Sequence, residues 1–178
     1  DPVVIELLEG ALADLGEGNE ALKARVMAAL AIQRLSAATL EEGAWLSEDA
    51  VALARKTADS AILGETLNLR CTFLSGPQHV RERLRQADTL FELASETRDA
   101  ELALFGHRWR LVSMLELGEI EAADRELEAY ERVAGEARAW TAHWYALTLR
   151  ATRAFLEGRL KEAERFVRDA LSQRRHEP

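Results

Sequence analysis

The stretch WRLVSMLELGEIEAADRELEAY, residues 109–130, decides the fold. Leu111, Met114 and Leu115 before Gly118, and Ile120, Ala123 and Leu127 after it, recur at the three- and four-residue intervals of one helical face. Gly118 supplies the left-handed backbone that ends a helix, a conformation that costs other residues sterically. The segment therefore reads as helix, short corner, helix. A near copy, RATRAFLEGRLKEAERFVRDAL, occupies residues 150–171. There Gly158 stands for Gly118, Leu160 for Ile120, Ala163 for Ala123 and Val167 for Leu127, each 40 residues on. Ile120 and Leu160 are expected to tuck beneath their corners. Ala123 and Ala163 let each returning helix approach its partner closely, where a larger side chain would push the axes apart.

The same interval extends toward the N-terminus. Asp59 and Asp99, both N-cap candidates, are 40 apart, and so are Ile62 and Leu102, Leu67 and His107, and Leu74 and Met114. A two-helix repeat of about 40 residues is the signature of a solenoid. The hairpin around Gly76 is degenerate, with Arg83 or Leu84 where the small residue is expected. The remaining apolar spacing places helices near 3–15, with Pro2 in its first turn, and 20–35, with Asn19 as N-cap. A segment reaching residue 58 is expected in two parts, because Gly43 and Ser47 interrupt it. Further helices run from Asp59 to about Leu74, then to about 97, and over 100–117, 119–136, 139–157 and 159–175. The expectation is an all-α fold of about nine helices: a right-handed superhelical array of antiparallel hairpins forming one domain over residues 1–178. The first helix has an apolar face (Val4, Leu7, Leu8, Ala11, Leu15) but no N-terminal partner, so the chain is expected to be a fragment of a larger protein.

Composition agrees with this. The 178 residues are 48% hydrophobic and 30% charged, and prolines occur only at positions 2, 77 and 178, leaving almost nothing to break an interior helix. No window alternates as a strand would. The single cysteine, Cys71 within LNLRCTFL, has no disulfide partner and reads as a small buried apolar residue. No apolar run approaches a membrane span and no basic flank opens a signal peptide, so a cytoplasmic location without membrane contact is expected. A net charge of −8 repels phosphate backbones, and only the tail SQRRHEP is locally basic, so this segment is not expected to grip nucleic acid.

The glycine, apolar and alanine set at fixed offsets resembles the second half of a tetratricopeptide repeat. EDAVALARKTAD, GPQHVRERLRQADTLFELASETRDAELALFGHRWRLVSMLELGEIEAADREL and RAFLEGRLKEAE carry a wider resemblance. It is to the C-terminal helical-repeat region of large bacterial ATPase-linked regulators, the LuxR-type transcriptional regulators and their cyclase-linked relatives. No GxxxxGK[ST] is present, and no DNA-reading helix can be singled out, so that family's catalytic and DNA-binding residues have no counterparts here. The resemblance implies a sensor or coupling module that communicates with other domains.

Three arginines share the 40-residue period: Arg70, Arg110 and Arg150. Stacked in register, they form a ladder on successive outgoing helices. An arginine on so apolar a helix must find acceptors or line a groove. The ladder therefore reads either as an anion-binding groove or as pairing with glutamates such as Glu65, Glu116 or Glu126. His107 and His143 lie near this strip, and Trp109, Trp140 and Trp144 lie on neighbouring apolar faces, as pocket walls or as core. The candidate ligand or partner surface is thus Arg70, His107, Arg110, His143, Trp144 and Arg150. The histidines have no carboxylate at ligand spacing, so neither a metal nor a cofactor is expected; His79 and His176 read as surface residues. The acidic run ELGEIEAADRELEAYE is a solvated face, and no Ser/His/Asp set stands in a recognisable context, so an enzyme is not expected.

Three functions remain open: a scaffold for a protein or peptide, a sensor for a small anionic effector held between helices, and a self-association module forming a homodimer through the free face of the first helix.

Overall fold

At both corners of the opening motif the backbone takes the same path. Gly118 and Gly158 have φ of 74° and 76°. In the first, the amides of Gly118 and Glu119 donate to Leu115 and Met114 at 3.1 and 2.9 Å. In the second, Gly158 and Arg159 donate to Phe155 and Ala154 at 3.0 and 2.9 Å. Each pair satisfies carbonyls that a helix end would otherwise leave bare. Ala123 and Ala163 are buried where the returning helices pack, as expected. Ile120 and Leu160 are not: both are exposed, and a Cβ placed at either corner glycine would meet nothing within 4 Å, so no neighbouring element packs over the corners to cover them.

The computed structural model describes residues 1–16, 18–36, 38–137 and 140–174. Among these the chain is all-helical, with nine α-helices: α1 Pro2–Asp14, α2 Glu20–Gln33, α3 Leu40–Ala54, α4 Ser60–Phe73, α5 Val80–Thr97, α6 Ala100–Leu117, α7 Ile120–Ala137, α8 Trp140–Leu156 and α9 Leu160–Arg174. A short 3-10 turn, Pro77–His79, precedes α5. His176 lies outside the described residues. Asp59 and Asp99 cap α4 and α6 by accepting from the amides of Ala61 and Ile62 and of Glu101. The expected break in the third segment is absent, since α3 runs unbroken through Gly43 and Ser47. Both are buried contact points rather than interruptions. Gly43 admits the ring of Phe73, and Ser47 donates to the carbonyl of Ala44 at 2.6 Å.

Consecutive helices pack as neighbours, and the even-numbered helices also meet one another, α2 against α4 and α4 against α6. The core follows suit as local clusters. Ala24, Ala54 and Ile62 join α2, α3 and α4; Leu67, Leu90 and Leu102 join α4, α5 and α6. Leu104, Tyr130 and Ala146 join α6, α7 and α8, and Ala154 and Phe166 join α8 and α9. Such nearest-neighbour cores are what a stack of hairpins produces.

The degenerate hairpin is closed differently. Arg83 is almost wholly buried in the place of the small residue. It donates from Nη1 to the carbonyl of Leu74 at the end of α4 and from Nε to the hydroxyl of Ser113 at 2.9 Å, and its Nη2 meets Glu116 at 2.6 Å. A guanidinium with three acceptors thus does there what close alanine packing does at the other corners.

Among the described residues, no helix is long and apolar enough to cross a membrane. Helix α1 packs on α2 and leaves Val3, Val4 and Leu7 exposed.

Candidate functional site

The even-numbered helices together line a trough of about 650 Å³. Its walls recur with the sequence period. Asn68 on α4, Arg108 on α6 and Thr148 on α8 occupy equivalent positions, as do Glu65, Phe105 and Tyr145, and Leu69, Trp109 and Leu149. On α6 the lining residues Glu101, Leu102, Phe105, Arg108, Trp109 and Val112 follow the three- and four-residue spacing of a single helical face. A smaller recess of about 290 Å³ between α6, α7 and α8 shares Glu101, Phe105, Arg108 and Tyr145 with the trough.

Arg108 is the centre of this wall. Its Nη2 donates to Oδ1 of Asn68, which also accepts from the indole of Trp109 at 2.8 Å. Its guanidinium carbon lies 4.8 Å from the Trp109 ring centre, 5.1 Å from that of Tyr145 and 5.4 Å from that of Phe105. Such contacts stabilise a cation without neutralising it. Its Nε is enclosed without a hydrogen-bond partner, as are those of Arg34 and Arg110. Arg34, Arg70, Arg83 and Arg153, which are largely shielded from solvent, and the more exposed Arg110 each have a carboxylate within 4.0 Å; among the described residues Arg108 has none.

The arginine ladder lies elsewhere. Arg70, Arg110 and Arg150 occupy equivalent places on α4, α6 and α8, but all three turn toward the odd-numbered helices. Arg70 donates to the carbonyl of Ala44 at 2.9 Å and the hydroxyl of Ser47 at 3.1 Å, and pairs with Glu48 and Glu82 at 3.3 and 3.6 Å. Arg110 pairs with Glu126 at 3.1 Å and Asp88 at 3.9 Å, and His107 donates to Glu126 at 2.7 Å. Arg150 grips Glu131 through both carboxylate oxygens, which raises its pKa above the ordinary arginine value. Of the other glutamates named as partners for the ladder, Glu65 pairs with Arg25 at 3.3 Å and Glu116 with Arg83. His143 is exposed on α8, and Trp144 is half-buried with its ring edge-on to Tyr145, centres 5.0 Å apart. None of the six sequence-predicted residues lines the trough.

Trp109 does line it, and Trp140 is half-exposed at the start of α8. The residues that sequence reasoning passed over are Glu101, Arg108, Asn68, Phe105 and Tyr145. The signal for them was the same 40-residue register, applied two positions before the ladder for Asn68 and Arg108 and five before it for Phe105 and Tyr145; Glu101 lies on the same face of α6.

Two buried groups are held neutral. Burial pushes the Cys71 thiol on α4 and the Tyr130 phenol on α7 up to about 12 each, with nearby arginines opposing the shift. A thiol so placed is protonated at neutral pH and a poor nucleophile. Among the described residues, no group of three or more His, Cys, Asp or Glu side chains is placed to hold a metal ion.

Comparison with protein-family models and with curated proteins finds no match for this chain.

Proposed function

We propose that the chain is a non-catalytic binding module of a bacterial signalling or transcriptional regulator, with its ligand held in the trough of the even-numbered helices. In this reading the hairpins form a tetratricopeptide-like superhelical array in the cytoplasm, coupled to other domains of the same regulator. The observation that carries the reading is the trough itself. Its volume falls in the range of ligand sites, and its walls mix aromatic rings with a few convergent polar groups around one shielded cation. A guanidinium held by an amide and three aromatic rings is suited to recognition.

The test is a thermal-shift screen against nucleotides, sugar phosphates, dicarboxylates and short peptides. It uses the wild type and Thr148→Trp, which fills the trough from α8. A ligand at 100 times its dissociation constant stabilises by about 2.7 kcal/mol, a rise of roughly 5–10 °C for a domain of this size. The expected result is a selective shift in the wild type that Thr148→Trp loses. A screen without any shift, or a shift that Thr148→Trp retains, contradicts the reading.

The exposed Val3, Val4 and Leu7 of α1 favour a second reading, self-association through that helix. Sedimentation of the wild type and Leu7→Glu decides it: a dimer converted to monomer supports it, and a monomeric wild type excludes it.

A further inference from the structure

Resting on the trough reading, we infer that its ligand is a short dipolar chain the size of a free tripeptide, with its carboxylate at Arg108 and its ammonium at Glu101. Both residues line the trough, and both also line the adjoining recess. Seven residues is nearly two helical turns, so the two side chains leave one face of α6 about 10.5 Å apart along the axis. Phe105 lies between them on that face, with Leu102 beside it.

Neither charge is paired among the described residues: Arg108 is half-buried, and Glu101 is exposed at the edge of the trough. Among the described residues, Arg108 has no carboxylate within 4.0 Å, and the Glu101 side chain enters no ion pair. The other acidic side chains of the trough are already engaged. Asp99 caps α6 by accepting from the Glu101 amide, and Glu65 pairs with Arg25. The wall therefore offers one positive and one negative group, rooted nearly two helical turns apart on α6, across an apolar floor. A simple anion satisfies one end only and is repelled by the other.

The spacing selects the ligand. Three residues of extended peptide span about 10–11 Å, which matches the separation along α6. Its two terminal charges then meet Arg108 and Glu101 while its central side chain rests on Phe105 and Leu102. Arg108 suits the carboxylate end, because its guanidinium is anchored on Asn68 and has no carboxylate of its own among the described residues. A cationic terminus at Glu101 complements the opposite sign.

The experiment is calorimetric titration with trileucine and trialanine, each free, N-acetylated or C-amidated, against the wild type, Arg108→Gln, Glu101→Gln and Thr148→Trp. A hydrogen-bonded charge contact is worth about tenfold or more in affinity. At least one free tripeptide is expected to bind, with acetylation and amidation each weakening it by about that factor. Arg108→Gln should abolish discrimination against the amide alone, and Glu101→Gln discrimination against the acetyl form alone. Thr148→Trp should bind none. The inference is overturned if no free tripeptide binds, or if capped and free forms bind equally. It is overturned equally if acetylation is tolerated while amidation is not, since that pattern belongs to the C-terminal tail of a protein. Should the thermal-shift screen yield a trough-dependent ligand while the tripeptides fail, the inference falls and the trough reading stands. If neither assay detects binding, both fall.

Discussion

Two arginines two residues apart on α6 meet opposite surroundings. Arg110 faces α5 and α7, where Glu126 and Asp88 pair with it and His107 shares Glu126. Arg108 faces the trough, held by an amide and three aromatic rings with no carboxylate near it. Two residues is about 200° of rotation, so the pair samples nearly opposite sides of one helix. The side toward the odd-numbered helices pairs its arginines with carboxylates, whereas the side toward the trough leaves Arg108 without one among the described residues. Structure is held on the first side, and the proposed ligand site lies on the second.

The largest effect should come from breaking the closed side at its most buried point. Arg83→Ala removes a guanidinium that three acceptors surround, leaving the Leu74 carbonyl, Ser113 and Glu116 without it. Loss of one partner of a buried pair costs about 3–5 kcal/mol, and the melting temperature should fall by about 10 °C. A fall below about 2 °C would mean that the degenerate hairpin closes without its arginine.

Alkaline pH probes the buried core more gently. In the unfolded chain the Cys71 thiol ionises near 9.0 and the Tyr130 phenol near 10.0, but in the fold both keep their protons to about 12. Between those values the unfolded state has shed protons that the folded state retains, so stability falls as pH rises. Each group contributes a slope of up to about 1.4 kcal/mol per pH unit. Melting temperatures measured from pH 8 to 11 should decline, and Cys71→Ala should make the decline shallower. An identical decline in wild type and variant would show that the thiol is not sealed.

Much of this was legible in the sequence, and the reason lies in what repeats. A residue that recurs 40 residues on does so because two hairpins need it in the same place, so the glycine corners, the buried alanines and the Asp caps all read correctly. Arg70, Arg110 and Arg150 recur for the same reason, as ties between neighbouring helices, and recurrence itself marks them as structural. The trough positions do not repeat in kind: Asn68, Arg108 and Thr148 share a register but not a chemistry, as do Glu65, Phe105 and Tyr145. A search for repeated residues passes over such positions, although the register needed to place them was already known. The exposure of Ile120 and Leu160 and the close contact of Gly43 with Phe73 within an unbroken α3 were not legible, since both depend on which neighbouring element covers the position.

The most direct test compares Arg108→Gln with Arg110→Gln in the thermal-shift assay, using a ligand that Thr148→Trp fails to bind. Arg110 is 37% exposed, so its ion pairs should be worth less than about 1 kcal/mol, and both variants should melt close to the wild type. The ligand should still stabilise Arg110→Gln as it does the wild type, and its effect on Arg108→Gln should largely vanish. The reverse pattern, with ligand stabilisation lost in Arg110→Gln and kept in Arg108→Gln, would contradict the account and place binding on the ladder side of α6.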